Sequence, residues 1–325
     1  MGRLYCIGEM LIDFIPIQTG LKLKEVESFK RVAGGAPLNV AINCSKLGLP
    51  SIMLSKVAED PFGEFLIDHL NENGVDTSYI VRTSDAETGL AFVSVTKEGE
   101  RDFSFYRKNA ADLMLKSDEI TELSIDENDI LHFGSVVLQN PLMKETHHRI
   151  INEMIDKGGI ISFDPNIRLS LWPSAEACRD SVWEFLEYAD ILKVSEEELF
   201  FITGEDVIER GIEKLFERPI EAVICTLGKD GSELYLKNNN SFKVDGYKVD
   251  VVDTTGAGDA FMGGFLYSLS KLFPTRSNLV QLLQKNAIDL LSYANATGAI
   301  ITSREGAYDP SLSDSKVKKV LEQQN

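Results

Sequence analysis

The sequence predicts an α/β fold: a doubly wound, mostly parallel sheet with helices on both faces and a small β-sheet lid. Three observations carry this. Short apolar runs alternate with helix-length segments over most of the 325 residues. The runs are continuously apolar rather than alternating, as strands covered on both sides are. Two stretches, residues 11–32 and 88–107, break the alternation and read as pieces of a separate small sheet.

The elements follow in order. Leu4–Ile7 is a strand, with no signal peptide expected ahead of it. Residues 11–32 pass from Leu-Ile-Asp-Phe-Ile-Pro into a Lys/Glu-rich stretch without helical period. Pro37–Leu47 then reads as helix, Ile52–Val57 as strand and Pro61–Asn73 as helix. Gly89 to Thr96 alternates, Lys97-Glu98-Gly99-Glu100 is a turn, and Arg101 to Arg107 alternates again, which is a hairpin signal. The βα order resumes with strands at Ile130–Phe133, Ile160–Phe163, Ile191–Val194 and Ala222–Thr226. Helices at Leu142–Asp156, Ala175–Tyr188 and Glu196–Thr203 lie between them. Lys229-Asp230-Gly231 is a hairpin turn joining two strands, and the chain after residue 275 is helical, notably Leu279–Tyr293. Without repeats or low-complexity linkers, the simplest parse is one domain over 1–325 with lid segments inserted at about 12–32 and 88–108.

Net charge is −18, from 51 acidic and 33 basic residues. That argues against nucleic acid and anionic membrane surfaces as partners. It also leaves any phosphate site dependent on local amides and selected cations. No segment reaches membrane-spanning length. Cys6, Cys44, Cys178 and Cys225 match no zinc spacing and read as reduced, so a cytoplasmic chain is expected. The four histidines show no metal spacing either.

The most informative run is Asp253-Thr-Thr-Gly-Ala-Gly-Asp259-Ala-Phe. It follows the β-branched segment Tyr247–Val252 and opens an apolar, helix-compatible one. Gly256, Ala257 and Gly258 are small enough for their amides to cradle an anion where a helix begins. Asp259 falls in the first helical turn beside that hole. A capping role explains one aspartate there, but not Asp253, Thr254 and Thr255 crowded upstream. A proton acceptor for a hydroxyl that attacks the bound phosphate explains the set.

Other constellations are weaker alone. Gly34-Gly35-Ala36-Pro37-Leu38-Asn39 puts a glycine pair before a helix and Asn39 on its first turn, where it can serve hydroxyls. Asp13, after the first strand, can accept two sugar hydroxyls. Arg107 and Arg168 end strand-like runs and suit anionic or polyhydroxyl groups, although a surface salt bridge explains either one. Phe92, Phe105 and Tyr106 offer apolar walls, with Phe105 and Arg107 on one face of the hairpin and Tyr106 on the other. Thr226, Gly228 and Gly231 permit close contact with a flat or phosphorylated ligand. Ser195 and Glu198 form a capping box, and Glu198 is also placed to meet Mg²⁺ through water.

The two signatures together resemble the ribokinase-like (PfkB) family of carbohydrate kinases over essentially the whole length. Gly34 to Ala41 looks like its N-terminal signature and Asp253 to Phe261 like its C-terminal one. Phe103-Ser-Phe-Tyr-Arg107, Ala110-Ala-Asp112 and Phe163-Asp-Pro-Asn-Ile-Arg168 with Leu171-Trp172 resemble fructokinases, with 2-keto-3-deoxygluconate kinases as the nearest alternative. Ser195 stands where many members carry asparagine. The resemblance implies ATP-dependent phosphorylation of a primary hydroxyl, giving fructose 6-phosphate. Asp13, Gly34, Gly35, Asn39, Phe105, Arg107 and Arg168 would hold the sugar, and Asp259 would take its proton. Gly256, Ala257 and Gly258 would stabilise the transferring phosphoryl. Ser195, Thr226, Gly228, Gly231 and Asn295 would line the nucleotide site. Mg²⁺ would lie by Glu198, and K⁺ by Asp253, Thr255 and the Arg304–Gly306 loop. A homodimer through the lid is one expected assembly. A catalytically silent binding regulator of the same fold is the rival from another class, and intact Asp259 counts against it. A dinucleotide-dependent oxidoreductase fails, because residues 6–13 lack the glycine fingerprint.

Overall fold

A computed structural model describes residues 1–18, 20–95 and 101–323. The chain runs β1 (Leu4–Ile7), β2 (Leu11–Pro16), β3 (Phe29–Gly34), α1 (Ala36–Leu47), β4 (Ser51–Ala58), α2 (Pro61–Glu72) and β5 (Ile80–Thr83). It continues with β6 (Leu90–Val95), β7 (Arg101–Tyr106), β8 (Ile130–Phe133), α3 (Pro141–Asp156), β9 (Ile160–Phe163), α4 (Ala175–Leu186) and β10 (Ile191–Ser195). The remainder is α5 (Glu196–Thr203), α6 (Ile208–Leu215), β11 (Ala222–Thr226), β12 (Ser232–Leu236), β13 (Ser241–Val244), α7 (Ala257–Ser270), α8 (Leu279–Thr302) and α9 (Asp314–Glu322).

The main sheet has the order β13-β12-β11-β10-β9-β8-β1-β4-β5. It is parallel from β5 to β11, and β12 and β13 add antiparallel strands at one edge. Strand β1 shows why the runs are continuously apolar. Leu4 and Cys6 enter one core, whereas Tyr5 and Ile7 enter the other. The first core packs α1, α2, α7 and α8 on one face; the second packs α3, α4, α5 and α6 on the opposite face. Each half of the strand's side chains thus finds helices to bury against.

A second sheet, ordered β3-β2-β6-β7, stands apart from the first. Its hairpin pairs Leu90 with Tyr106 and Val95 with Arg101. The expected turn at Lys97–Glu100 lies outside the described residues. Asp13 and Phe105 share one face of this sheet, while Phe14, Phe92, Arg31 and Tyr106 share the other. On the second face Phe14 stacks on Phe92 and meets Phe62 of α2 edge-on. The Arg31 guanidinium lies 3.7 Å from the centre of the Phe65 ring.

Differences from the sequence reading sit at element ends and in short pieces. α8 runs nine residues past the expected end at Tyr293, to Thr302. α4 stops at Leu186, two residues before Tyr188. β5, α6 and β13 were not expected; β5 and β13 are short and half-exposed, so their apolar pattern is thin, and α6, though amphipathic, is only 8 residues long. The β-branched segment 247–252 forms no strand, and Val251 and Val252 are exposed. Among the described residues no helix is long and apolar enough to cross a membrane. All four cysteines are buried and free.

Candidate active site

The parallel strands of the main sheet end where α1 and α7 begin, and the first turns of these two helices meet. Gly256 caps α7 with φ 70°, a backbone conformation that glycine enters without strain, and a side chain there would strike Ala307. Asp259 follows in the first turn and is buried. Its Oδ2 accepts a 2.8 Å hydrogen bond from Asn39 Nδ2 on the first turn of α1. The two signature segments, 220 positions apart, are thereby joined by one bond. Burial raises the Asp259 carboxyl to about 6, against the Asn39 bond that favours ionisation; Asp164 raises it further, while Lys193 and Arg168 oppose. Asn39 keeps its own Oδ1 buried without a partner.

The amides of Gly258 and Asp259 are first-turn amides, which no helix can satisfy internally. The Ala257 amide instead closes a turn onto the Thr254 carbonyl at 3.2 Å, so it is less free than its neighbours. A cation stands over this end of α7. Lys193 of β10 is buried, and a side chain at Gly258 would lie 3.2 Å from its Nζ. Lys193 Nζ pairs with Asp164 Oδ2 at 3.0 Å. Burial disfavours its charge, but Asp164, Glu198 and Asp259 more than offset this and hold it above the usual lysine value. Asp164 has its other oxygen buried and unpartnered.

Lys193 and Asp164 are the site residues that sequence reading missed. A signal existed: a lone lysine inside the apolar run Ile191-Leu-Lys-Val-Ser must be paired if that strand is buried.

The other residues are placed as follows. Asp13 of β2 lies over Gly34, where a side chain would come within 2.4 Å of Asp13 Oδ2. Gly35 caps α1, and the Ala36 amide donates to buried Glu9 at 2.9 Å. Arg107 leaves the end of β7 and turns inward to bond Asp112 at 2.5 Å. Its ion pair is therefore buried, not the weak surface bridge that sequence alone allowed. Arg168 is exposed and donates to its own neighbour's carbonyl, Ile167 O. Its charge still reaches Asp259. Glu198 completes the capping box with Ser195 and also accepts the Ile167 amide, so each of its oxygens already holds one bond.

Thr226 ends β11, and Gly228 and Gly231 form the tight turn into β12. Asn295 of α8 is bonded to Ser232 Oγ and to the carbonyls of Val244 and Asp245. It fixes the walls of that corner rather than standing free in it. Asp253 accepts the amide and hydroxyl of Thr255 and the amide of Gly306. Among the described residues no group of three acidic, histidine or cysteine side chains converges as a metal site.

This geometry suits transfer of a phosphoryl group. It holds a buried aspartate, a helix N-terminus and a lysine within one corner, with Asp13 of the small sheet over the neighbouring Gly34. The chain matches the family described as pfkB family carbohydrate kinase over residues 1–314. It is 42% identical over 306 residues to probable fructokinase-6, chloroplastic, of Arabidopsis thaliana, covering 93% of this chain and 78% of that protein. It is 39% identical over 316 residues to fructokinase-1 of Zea mays, covering 97% and 96%. Among solved structures it resembles fructokinase with bound ATP from Xylella fastidiosa, with TM-score 0.90, 33% identity and coverage of 99% and 98%. It also resembles fructokinase from Vibrio cholerae O395 in its fructose, ADP and calcium ion bound form, with TM-score 0.87, 32% identity and 99% of each chain covered.

Proposed function

The chain belongs to the pfkB family of carbohydrate kinases, and from that premise we propose that it transfers the terminal phosphoryl group of ATP to the primary hydroxyl of fructose. The product is fructose 6-phosphate. One observation carries the assignment of chemistry: the buried Asp259 held by Asn39 beside the open first turn of α7. The choice of fructose rests on the likeness to fructokinases over nearly the full length.

Asp13, Gly34, Gly35 and Asn39 form the wall against which the sugar lies, and Phe105, Arg107 and Arg168 complete it. The unpartnered Asn39 Oδ1 is free to accept a sugar hydroxyl. Asp259 orients the attacking hydroxyl and receives its proton. In a loose transition state that proton moves late, so a carboxyl near 6 is basic enough. The amides at the start of α7, that of Gly258 above all with those of Gly256 and the less free Ala257 beside it, neutralise charge on the transferring group together with Lys193. Thr226, Gly228, Gly231, Ser195 and Asn295 shape the nucleotide corner.

A hydrated Mg²⁺ fits the phosphate side of this corner. Asp164 retains a buried oxygen without a partner, and Glu198 retains lone pairs. Mg²⁺ keeps most of its water, so the lack of a three-residue cluster among the described residues is compatible with it. When bound it supplies positive charge to the phosphate oxygens. For a monovalent cation, both Asp253 oxygens are already engaged, so K⁺ would take mainly backbone carbonyls there. The buried free cysteines support a cytoplasmic location, although one relative is named chloroplastic. A coupled ADP-release assay across fructose, 2-keto-3-deoxygluconate, ribose and fructose 6-phosphate tests the reading. Fructose should give the highest kcat/KM, and a higher value for any other sugar overturns it.

A further inference from the structure

Arg107 is buried at the root of the small sheet's hairpin, and its surroundings are unusual. Its Nη2 bonds Asp112 Oδ2 at 2.5 Å, with the two side chains only 4% and 1% exposed. Its Nε and Nη1 are buried and have no partner. Glu9, also buried, is close enough for its charge to interact with Arg107 and with Asp112. Glu9 uses one oxygen to hold the Ala36 amide next to Gly35, and its other oxygen is buried without a partner. Gly89 makes room for the arrangement, because a side chain there would press within 3.3 Å of Arg107 Cγ and Nε. Two carboxyl groups thus face one guanidinium in a dry place.

We propose that Asp112 and Glu9 set the substrate class of this kinase by consuming the charge of Arg107, so that the pocket takes a neutral sugar and rejects a sugar acid. The inference rests on the reading of Arg107 as part of the sugar pocket. A free buried guanidinium is an excellent receptor for a carboxylate, offering two parallel bonds. Here the charge is already answered by Asp112, and a further desolvated carboxylate would find no counter-charge of its own. The three N–H groups left on Nε and Nη1 suit neutral oxygen atoms, which need hydrogen bonds but no net charge. Asp112 and Glu9 act through Arg107 and are positioning residues. They need not touch the sugar.

The test compares fructose with 2-keto-3-deoxygluconate on the full chain, as a ratio of kcat/KM values. Asp112→Asn and, assayed above pH 7 where Glu9 is ionised, Glu9→Gln remove a charge while keeping shape, and Gln still accepts the Ala36 amide. Wild type should favour fructose by at least ~10²-fold, the scale of one mismatched buried polar group. Each variant should lower that ratio at least ~10-fold, mainly by lowering KM for the acid. A merely structural role would depress both substrates together, and an unchanged ratio in folded variants overturns the proposal. If Asp112→Asn does not fold by circular dichroism, Glu9→Gln decides alone. A wild type that already prefers the acid overturns the fructose reading itself, a result distinguishable from an unmoved ratio.

Discussion

Asparagine at position 259 would keep the size of the side chain and an oxygen for Asn39 to bond, yet remove the proton acceptor. Asp259→Asn should therefore lose at least ~10²-fold in turnover while binding ADP nearly as well as wild type. Steady-state kinetics beside calorimetric ADP titration checks this; turnover within about threefold of wild type, well inside that range, ends the assignment. In wild type, kcat/KM for the sugar should fall as pH drops through about 6, because the protonated carboxyl can no longer accept the hydroxyl proton. Arg107 makes a second residue-scale case. Arg107→Ala should raise the sugar KM much more than the ATP KM, and a rise in the ATP KM alone removes Arg107 from the sugar pocket. The same change strands Asp112 in a buried site, at a cost of ~3–5 kcal/mol. Removing both partners, as Arg107→Leu with Asp112→Leu, should recover much of that stability but not the sugar affinity. Denaturant melts of the single and double variants measure the difference.

Between residue and molecule stand the helix starts and the small sheet. Asp60 caps α2 by accepting the amides of Phe62 and Gly63, and it also takes the amide and hydroxyl of Thr88, just before β6. One carboxylate ties a body helix to the stem of the hairpin. Asp60→Ala should cost ~1–3 kcal/mol, more than an ordinary cap because the Thr88 bonds go as well. A fall in melting temperature accompanied by faster amide exchange at residues 88–95 would confirm the tie, and unaltered exchange there would deny it. We propose that the small sheet is a lid that closes over the sugar and keeps water from competing for the phosphoryl group. Fructose should then slow exchange of the β6 and β7 amides, and no slowing at saturating sugar tells against closure. Elements such as β1, β8, β9 and β11 were legible to the residue, since each is a buried apolar run bounded by polar turns. β5 and β13 were not, since edge strands need satisfy only one neighbour and carry little apolar pattern.

For the molecule as a whole, alternation of strand and helix disclosed the layers because each strand must be covered twice. It did not disclose the order of strands, which depends on pairings between residues far apart. The site was legible in the same uneven way. Gly256 to Asp259 and Asn39 announce themselves by unusual residue types at helix starts. Glu9 and Asp164 do not, and Lys193 and Asp112 disclose no partner, since their meaning lies in which charge faces which across the fold. Assembly is a further question at this scale. Ile17 and Tyr106, on and beside the lid strands, are both more than 60% exposed. We propose a homodimer that covers them; light scattering should give twice the chain mass, and Tyr106→Glu should return it to the single mass. The buried carboxyl groups have a last consequence, for endurance rather than for turnover. Burial raises Asp259 and Asp190 to about 6 and Glu9 to about 7, all above their unfolded values. Each group therefore favours the folded chain most fully in acid below its unfolded value, and that contribution drains away as pH climbs from there up to about 6 to 7. The 18 excess negative charges repel one another more strongly over the same interval. Heat tolerance should thus peak on the mildly acidic side, while the reaction needs Asp259 ionised. The protein would work best at a pH where it lasts less long, and storage and assay buffers should be chosen apart.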